Sequence, residues 1–554
     1  MAFKNFHFFI KYSTFYTLCI KASIIRFTFI LLLIIISNYS KAQEIFYPIT
    51  NLSVYDYLDE MANNQIIEVN SAARPWSRKF IAGKLQEIDS QREVLNKRQA
   101  KDLDFFLKDF NKEIKPDKHF KKRFDIFYYK DSLFTFSLNP ILGVQYFTNE
   151  NGSATHWWNG LEAFATMGKH LGIYASLRDN HDAEFLSNPD YINQRFGANY
   201  KGNGDYSEMR GGITWSWKWG SVGLVKDYFT WGNNYNGANI FSEKAPSFGQ
   251  IYLNLKPVKW FEFKYVHGWL ISEVVDSTRS YYYTNGSGTH YREVYHPRYI
   301  AANLFTFTPF KKFNASFGNS IVYADLGVFP TYLIPFAFFK SIDHTVNHGN
   351  DNQNSQMFFD FSSRQIKHLH LYTTIFFDEL STSRMFDKDQ HSNFYSWKIG
   401  GRLSDFPLRN ISLTVEYTRT NPLTYQHPVP TLEFTSNKYN LGYYAQDNNQ
   451  EIYIALEAKP IRGLWLQASF LYIQKGPDYS HLDDRDRWGL PFMESIEWEN
   501  STFKLNARYE IINDAYVFAG YQFSNISGNE INKYTHPLWR GKTNTFSAGL
   551  NFGF

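Results

Sequence analysis

The chain has one cysteine, Cys19, in 554 residues, and after Ile36 it has no long apolar run. The first scarcity excludes disulfides, thiolate nucleophiles and cysteine metal sites once the N-terminus is removed. The second excludes a helical membrane protein, whose spans need about 20 consecutive apolar residues. The HExxH pattern of a zinc protease is also missing. Acidic residues are absent from the first 42 positions, where Lys4, Lys11, Lys21, Arg26 and Lys41 stand.

That basic leader runs into FTFILLLIII, Phe27 to Ile36, and then Ser40-Lys41-Ala42. A basic stretch, a short apolar core and small residues ahead of a cut site make a secretory signal, with cleavage expected after Ala42. Cleavage removes Cys19 and five of the 57 basic residues, leaving 52 against 53 acidic ones. A near-neutral mature chain argues against nucleic acid as a partner.

Aromatic residues make up 19% of the chain, with 39 Tyr, 52 Phe and 14 Trp, yet mean hydropathy is −0.41. A transmembrane β-barrel reconciles the two, because it hides its apolar residues by alternation along each strand. From about Arg123 to the end the period is two. Leu171, Ile173, Ala175 and Leu177 share one face, as do Ile213-Trp215-Trp217-Trp219, Ile411-Leu413-Val415-Tyr417, Leu464-Leu466-Ala468-Phe470 and Phe503-Leu505-Ala507-Tyr509. The other faces carry Thr214, Ser216, Lys218, Glu416, Lys504, Arg508 and Glu510, which suits a polar lumen.

Connections alternate in length. Short basic turns containing proline, such as Lys256-Pro257-Val258-Lys259, Pro309-Phe310-Lys311-Lys312 and Lys459-Pro460-Ile461-Arg462-Gly463, separate long polar stretches. Outer-membrane barrels place short turns in the periplasm and long loops outside. The last strand, Phe546-Ala548-Leu550-Phe552-Phe554, ends on an aromatic residue, as barrel-insertion signals do. Roughly 430 residues, at about ten per strand plus loops, predict an all-β transmembrane antiparallel barrel of about 16–18 strands.

Ahead of the barrel, Ser53 to about Ile114 has helical spacing. Ser53 and Asp56 form a capping-box pattern, KFIAGKLQEI predicts a second helix, and Leu103, Phe106 and Leu107 share a face of a third. About 60 residues is close to the lower limit for an independent core, so the bundle is expected to lean on the barrel. The expected organisation is a signal peptide at 1–42, a periplasmic helical segment at 43–122 and a barrel at 123–554.

Candidate chemistry is sparse. His368 and His370 alternate on HLHLYTT and are expected to line the lumen; His344 and His348 lack the ligand count of a metal site. The run His481-Leu482-Asp483-Asp484-Arg485-Asp486 could hold calcium, but reads first as a solvated loop. An outer-membrane hydrolase needs Ser, His and an orienting residue together at the lipid boundary, and no strand offers that combination. Neither a metal nor another cofactor is expected. Lys218, Arg508 and Glu510 would suit a porin.

The long loops are more informative. Tyr281, Tyr282, Tyr283, Asn285, Tyr291 and Arg292 mix aromatic plates with amide and cationic groups. Such surfaces suit sugars, which present apolar C–H faces and rings of hydroxyls. Trp231, Tyr235, Arg485 and Trp488 stand in similar company. For each residue the competing reading is the aromatic girdle of a barrel.

The segments YDYLDEMANNQIIEVNSAARPWSRKFIAGKL, ANLFTFTPFKKFNASFGNSIVYADLGVFPTYLIPF and YNLGYYAQDNNQEIYIALEAKPIRGLWLQASFLY together resemble the Wzi family of outer-membrane capsule-assembly proteins, in its Bacteroidetes-type version. The resemblance implies a barrel of about eighteen strands with a helical periplasmic cover. It further implies a non-catalytic surface lectin for capsular or related exopolysaccharide, working amid outer-membrane lipid and delivered by the barrel-insertion machinery. It assigns no individual binding residue.

Overall fold

The computed structural model describes residues 44–114, 125–346, 352–481 and 488–553. The signal peptide, His348, the acidic run with Arg485 and the terminal Phe554 lie outside the described residues. Eighteen antiparallel strands, from Phe134–Asn149 to Gly541–Phe552, close into a barrel. This is the fold class expected from the two-residue period.

Alternation explains the wall. Ile213 and Trp215 point outward, 56% and 52% exposed, while Thr214 and Ser216 between them are buried inside. Leu413 and Val415 face out, and Thr414 and Glu416 face in. An apolar belt of this extent would be an aggregation hazard in water and is at home in hydrocarbon. Closure leaves every strand paired on both sides, which satisfies the backbone without water.

The chain turns briefly at one end, as at Lys311-Lys312 and Asn513-Asp514, and travels far at the other. Lys218 sits in one of the short turns and is exposed there, so it does not line the lumen as expected. The first strand has a divided edge. Residues Thr135 to Leu138 pair with a short strand, Phe127–Lys130, and Leu142 to Thr148 pair with the last strand. Pro140, which has no backbone N–H to offer, stands between the two ladders.

Three helices, α1 (Leu52–Asn63), α2 (Arg78–Asp89) and α3 (Lys97–Asp109), cover the short-turn end. Their core is Val54, Leu58, Met61, Ile81, Leu85, Leu103 and Phe106. The Ser53–Asp56 box is not used. Helix α1 starts two residues earlier with Asn51 at its cap, and the Asn51 amide donates instead to Asp514 at 2.9 Å. A capping box does form at Asn96 and Gln99, opening α3. The bundle leans on the barrel turns: Asn63 Nδ2 donates to Ser404 Oγ at 3.0 Å, Asn96 to Asn410 at 3.0 Å, and Lys459 pairs with Glu60 at 3.2 Å. Arg508, expected in the lumen lining, stacks on Trp465 at 5.1 Å and lies 3.9 Å from Asp56 of α1.

Candidate functional site

Two of the long loops do not project away from the barrel. Residues 228–247 fold back into the lumen, where the wall supplies partners for a segment that has no sheet of its own. Asn233 donates its backbone and side-chain N–H groups to Asp360, both at 2.7 Å. The Tyr235 backbone N–H donates to Glu416 at 2.7 Å, and the Asn236 amide to Glu451 at 2.6 Å. Lys398 and Glu416, each with a fully buried side chain, pair at 3.2 Å, and Lys398 also donates to the carbonyl of Asn236. A buried charge pair with its remaining hydrogen-bonding capacity filled holds one arrangement of its surroundings.

Residues 421–448 fold over the first loop. Tyr425 donates its hydroxyl to the carbonyl of Asn239 at 2.6 Å, and Phe434 packs on Phe241 at 5.1 Å between ring centroids. Trp231, Phe241, Phe358, Phe376 and Phe434 form the apolar centre of this plug.

Trp231 and Tyr235 therefore lie inside the barrel and not on its outer surface, which corrects the expectation that they are exposed sugar plates. Trp231 is 2% exposed. The Tyr235 ring lies under the Arg402 guanidinium at 4.6 Å, and its hydroxyl is 2.9 Å from His370 Nδ1. His370 faces the lumen as expected, with Nε2 2.9 Å from Ser362 Oγ. His368 does not share its strand: it occupies the preceding turn, 3.0 Å from Asn64 at the end of α1. The Ser362 and His370 pair is buried beneath the plug with Arg364, on the lumenal face of the wall and not on its lipid face.

The tyrosine-rich loop is a solvent-exposed hairpin, Tyr281–Asn285 against Gly288–Arg292. Tyr282 and Tyr291 pair across it with centroids 4.8 Å apart, and Tyr281 and Tyr283 share the other face. Arg292 donates to the Tyr281 hydroxyl at 3.0 Å, while Asn285 accepts from the Ser287 backbone at 2.9 Å. Trp488 stands in another loop, beneath Arg384 at 4.4 Å.

A cavity of about 440 Å³ lies inside the barrel beside the plug. The inward face of the strand Trp498–Ile512 contributes Asn500, Thr502, Lys504 and Asn506; the outer loops contribute Arg195, Tyr534 and Trp539. Its lining holds the basic side chains Arg195 and Lys504 and, among the described residues, no carboxylate. The Arg195 Nε is buried without a hydrogen-bond partner, and its Nη2 lies 3.6 Å from Asp182. Amides from Gln145, Gln467 and Gln522 complete a lining that can exchange hydrogen bonds with hydroxyls and attract an anion. A larger recess of about 740 Å³ sits among Leu466, Ala468, Leu505 and Phe546 on the outward wall; that surface faces hydrocarbon and offers little polar chemistry. Lys504 is visible in the sequence as a polar-face residue, but nothing there distinguishes it from its neighbours.

No protein-family model matches the chain, and no curated protein sequence matches it. Solved structures do. An outer-membrane protein of Escherichia coli, Wzi, described as involved in group 1 capsule assembly and as a carbohydrate-binding β-barrel, aligns at 10% identity with TM-score 0.55. The match covers 90% of this chain and 98% of that one. OprD of Pseudomonas aeruginosa aligns at 10% identity and TM-score 0.41 over 75% of this chain and 94% of its own. At 10% identity the likeness to Wzi is one of fold, that of an outer-membrane barrel.

Proposed function

We propose that this protein is a non-catalytic outer-membrane barrel that binds polysaccharide at the cell surface and helps attach or assemble a capsular layer. In this reading the helices lie in the periplasm and the long loops outside. The observation that carries it is the lumenal cavity, where Lys504 and Arg195 stand among amides and aromatic rings with no carboxylate in the described lining. Such a lining complements a sugar unit bearing an acidic group: rings stack on C–H faces, amides meet hydroxyls, and the cations meet the anion. The exposed Tyr281–Arg292 hairpin adds further stacking plates. The carbohydrate binding ascribed to the E. coli structure with the same fold supports the reading.

The test is binding of the purified barrel to the surface polysaccharide of its own host, with capsule retention compared in a deletion strain. Absent binding together with an unchanged capsule rejects the proposal. A large steady current in planar bilayers would favour a diffusion channel instead. The filled lumen speaks for a small current.

A further inference from the structure

One long loop takes a third course. On the strand Arg298–Phe310, Arg298 reaches into the lumen to the carbonyl of Thr431, so the alternate positions Ala301, Asn303, Phe305 and Phe307 face outward. Outward positions should be apolar. Yet Asn303 is fully buried, as is His267 on the neighbouring strand, and Asn319 is 6% exposed. The two asparagines are covered by the segment that follows Asp325, which folds down over the outside of the wall, and His267 bonds to Tyr323 beside it at 2.7 Å.

Three residues of the wall fix that course. Asn303 Nδ2 donates to the carbonyls of Pro335 and Ala337 at 3.0 and 2.8 Å. Asn319 Oδ1 accepts from the Phe339 backbone at 2.9 Å. The Tyr265 hydroxyl donates to the carbonyl of Tyr332 at 2.8 Å. At the foot of the segment Phe336 stacks on Phe263, centroids 4.4 Å apart, and also approaches Phe305, past the midpoint of its strand.

From Leu326 to Phe339 the sequence LGVFPTYLIPFAFF holds no charge. Leu333, Ile334, Phe336 and Phe338 remain 41–55% exposed on the side turned away from the barrel. We propose that this segment is a flap inserted among the acyl chains of the surrounding lipid leaflet. Irregular backbone enters hydrocarbon only when its polar groups find partners, and the outward asparagines and tyrosines of the wall supply them. The occupant is acyl chain because the exposed side chains continue the apolar belt, meeting it at Phe305 and its neighbour Phe317.

The experiment uses full-length protein in a Cys19→Ser background, reconstituted in phospholipid vesicles, with Phe336→Cys or Ile334→Cys carrying an environment-sensitive fluorophore. Tyr282→Cys on the exposed hairpin is the reference. Insertion gives a blue-shifted emission at 334 and 336 that nitroxides on the acyl chains quench more than an aqueous nickel chelate does, with the reverse at 282. Stronger aqueous quenching at 334 and 336 overturns the proposal, and so does quenching by neither agent, which would mean a protein surface covers the flap. Two labelled positions keep the result readable if one variant fails to fold.

Discussion

The carbonyl of Ala72, between helices α1 and α2, accepts the backbone N–H of Gly232, in the loop that fills the lumen, at 2.8 Å. Beside it Ala73 and Arg74 pair with Trp231 and Thr230 as a two-stranded sheet. Arg74 ion-pairs with Asp59 of α1, and Arg364 from the barrel wall reaches the same carboxylate at 3.1 Å. The segment Ala72 to Arg74 thus ties the cap to the plug through its backbone, and Asp59 ties the cap to Arg364, so perturbing the plug or Arg364 should be felt in the cap.

Replacing Asn233 to Ile240 with a short Gly-Ser link removes the contacts to Asp360, Glu416 and Glu451. The barrel should still form, since closure rests on the strands. Its single-channel conductance in planar bilayers should rise severalfold over the parent. An unchanged current would mean these residues do not obstruct the lumen.

Trp231 fills the centre of the plug, with Phe241 at 5.2 Å and Phe358 at 5.8 Å. Truncation in Trp231→Ala should cost the plug about 3–5 kcal/mol, typical of deleting a large buried ring. Faster amide exchange across 228–247, with the strands still protected, is the expected readout. Uniform loosening of the whole barrel would contradict a separable plug.

Burial pushes the Glu60 carboxyl up, but Lys459 and Arg98 outweigh burial and hold it at about 2, against an ordinary 4.5. The folded value is the lower one, so this carboxylate stabilises the docked cap above about pH 4.5, and that contribution fades as pH falls towards 2. The difference amounts to about 3 kcal/mol. Protease sensitivity of α1 to α3 should therefore increase over that window, and Glu60→Gln should flatten the dependence. A cap equally protected at pH 5 and pH 2 would remove Glu60 from this role.

Lys504→Gln keeps a hydrogen-bonding group of similar reach and deletes the charge. Affinity for an acidic polysaccharide should fall about 10-fold or more, on the scale of one charge-assisted contact, while a neutral glycan should be indifferent. Equal losses for both, in calorimetric titrations at one salt concentration, would argue against a charge-selective cavity.

The barrel was legible because period-two patterning is a local property. Ile213 and Thr214 declare their faces without knowledge of any other strand, and the short turns set one end apart from the other. The plug was not, since Trp231 and Asn233 look like residues of any long loop. Their inward course depends on Asp360, Glu416 and Glu451, which are more than a hundred residues away. The same holds for Asn303, whose outward position breaks the alternation rule for a reason that only the segment after Asp325 supplies. Lys504 needed the cavity around it before it meant anything beyond polarity. Ser53 misled because a cap pattern says where a helix can start, and Asn51 lay two residues upstream with a partner in Asp514.

The divided edge of the strand Phe134–Asn149 has its own consequence. A barrel that releases cargo sideways into a membrane unzips between its first and last strands. Here the first strand bonds the last through Phe546 to Phe552, and its stretch before Pro140 is covered by Phe127 to Lys130, which bonds to the first strand and not to the last. Opening this seam breaks the Phe546 to Phe552 ladder and leaves the Phe127 to Lys130 ladder on the first strand intact. The short strand thus covers a length of edge that closure with the last strand leaves unpaired, and no foreign strand can add there without displacing it.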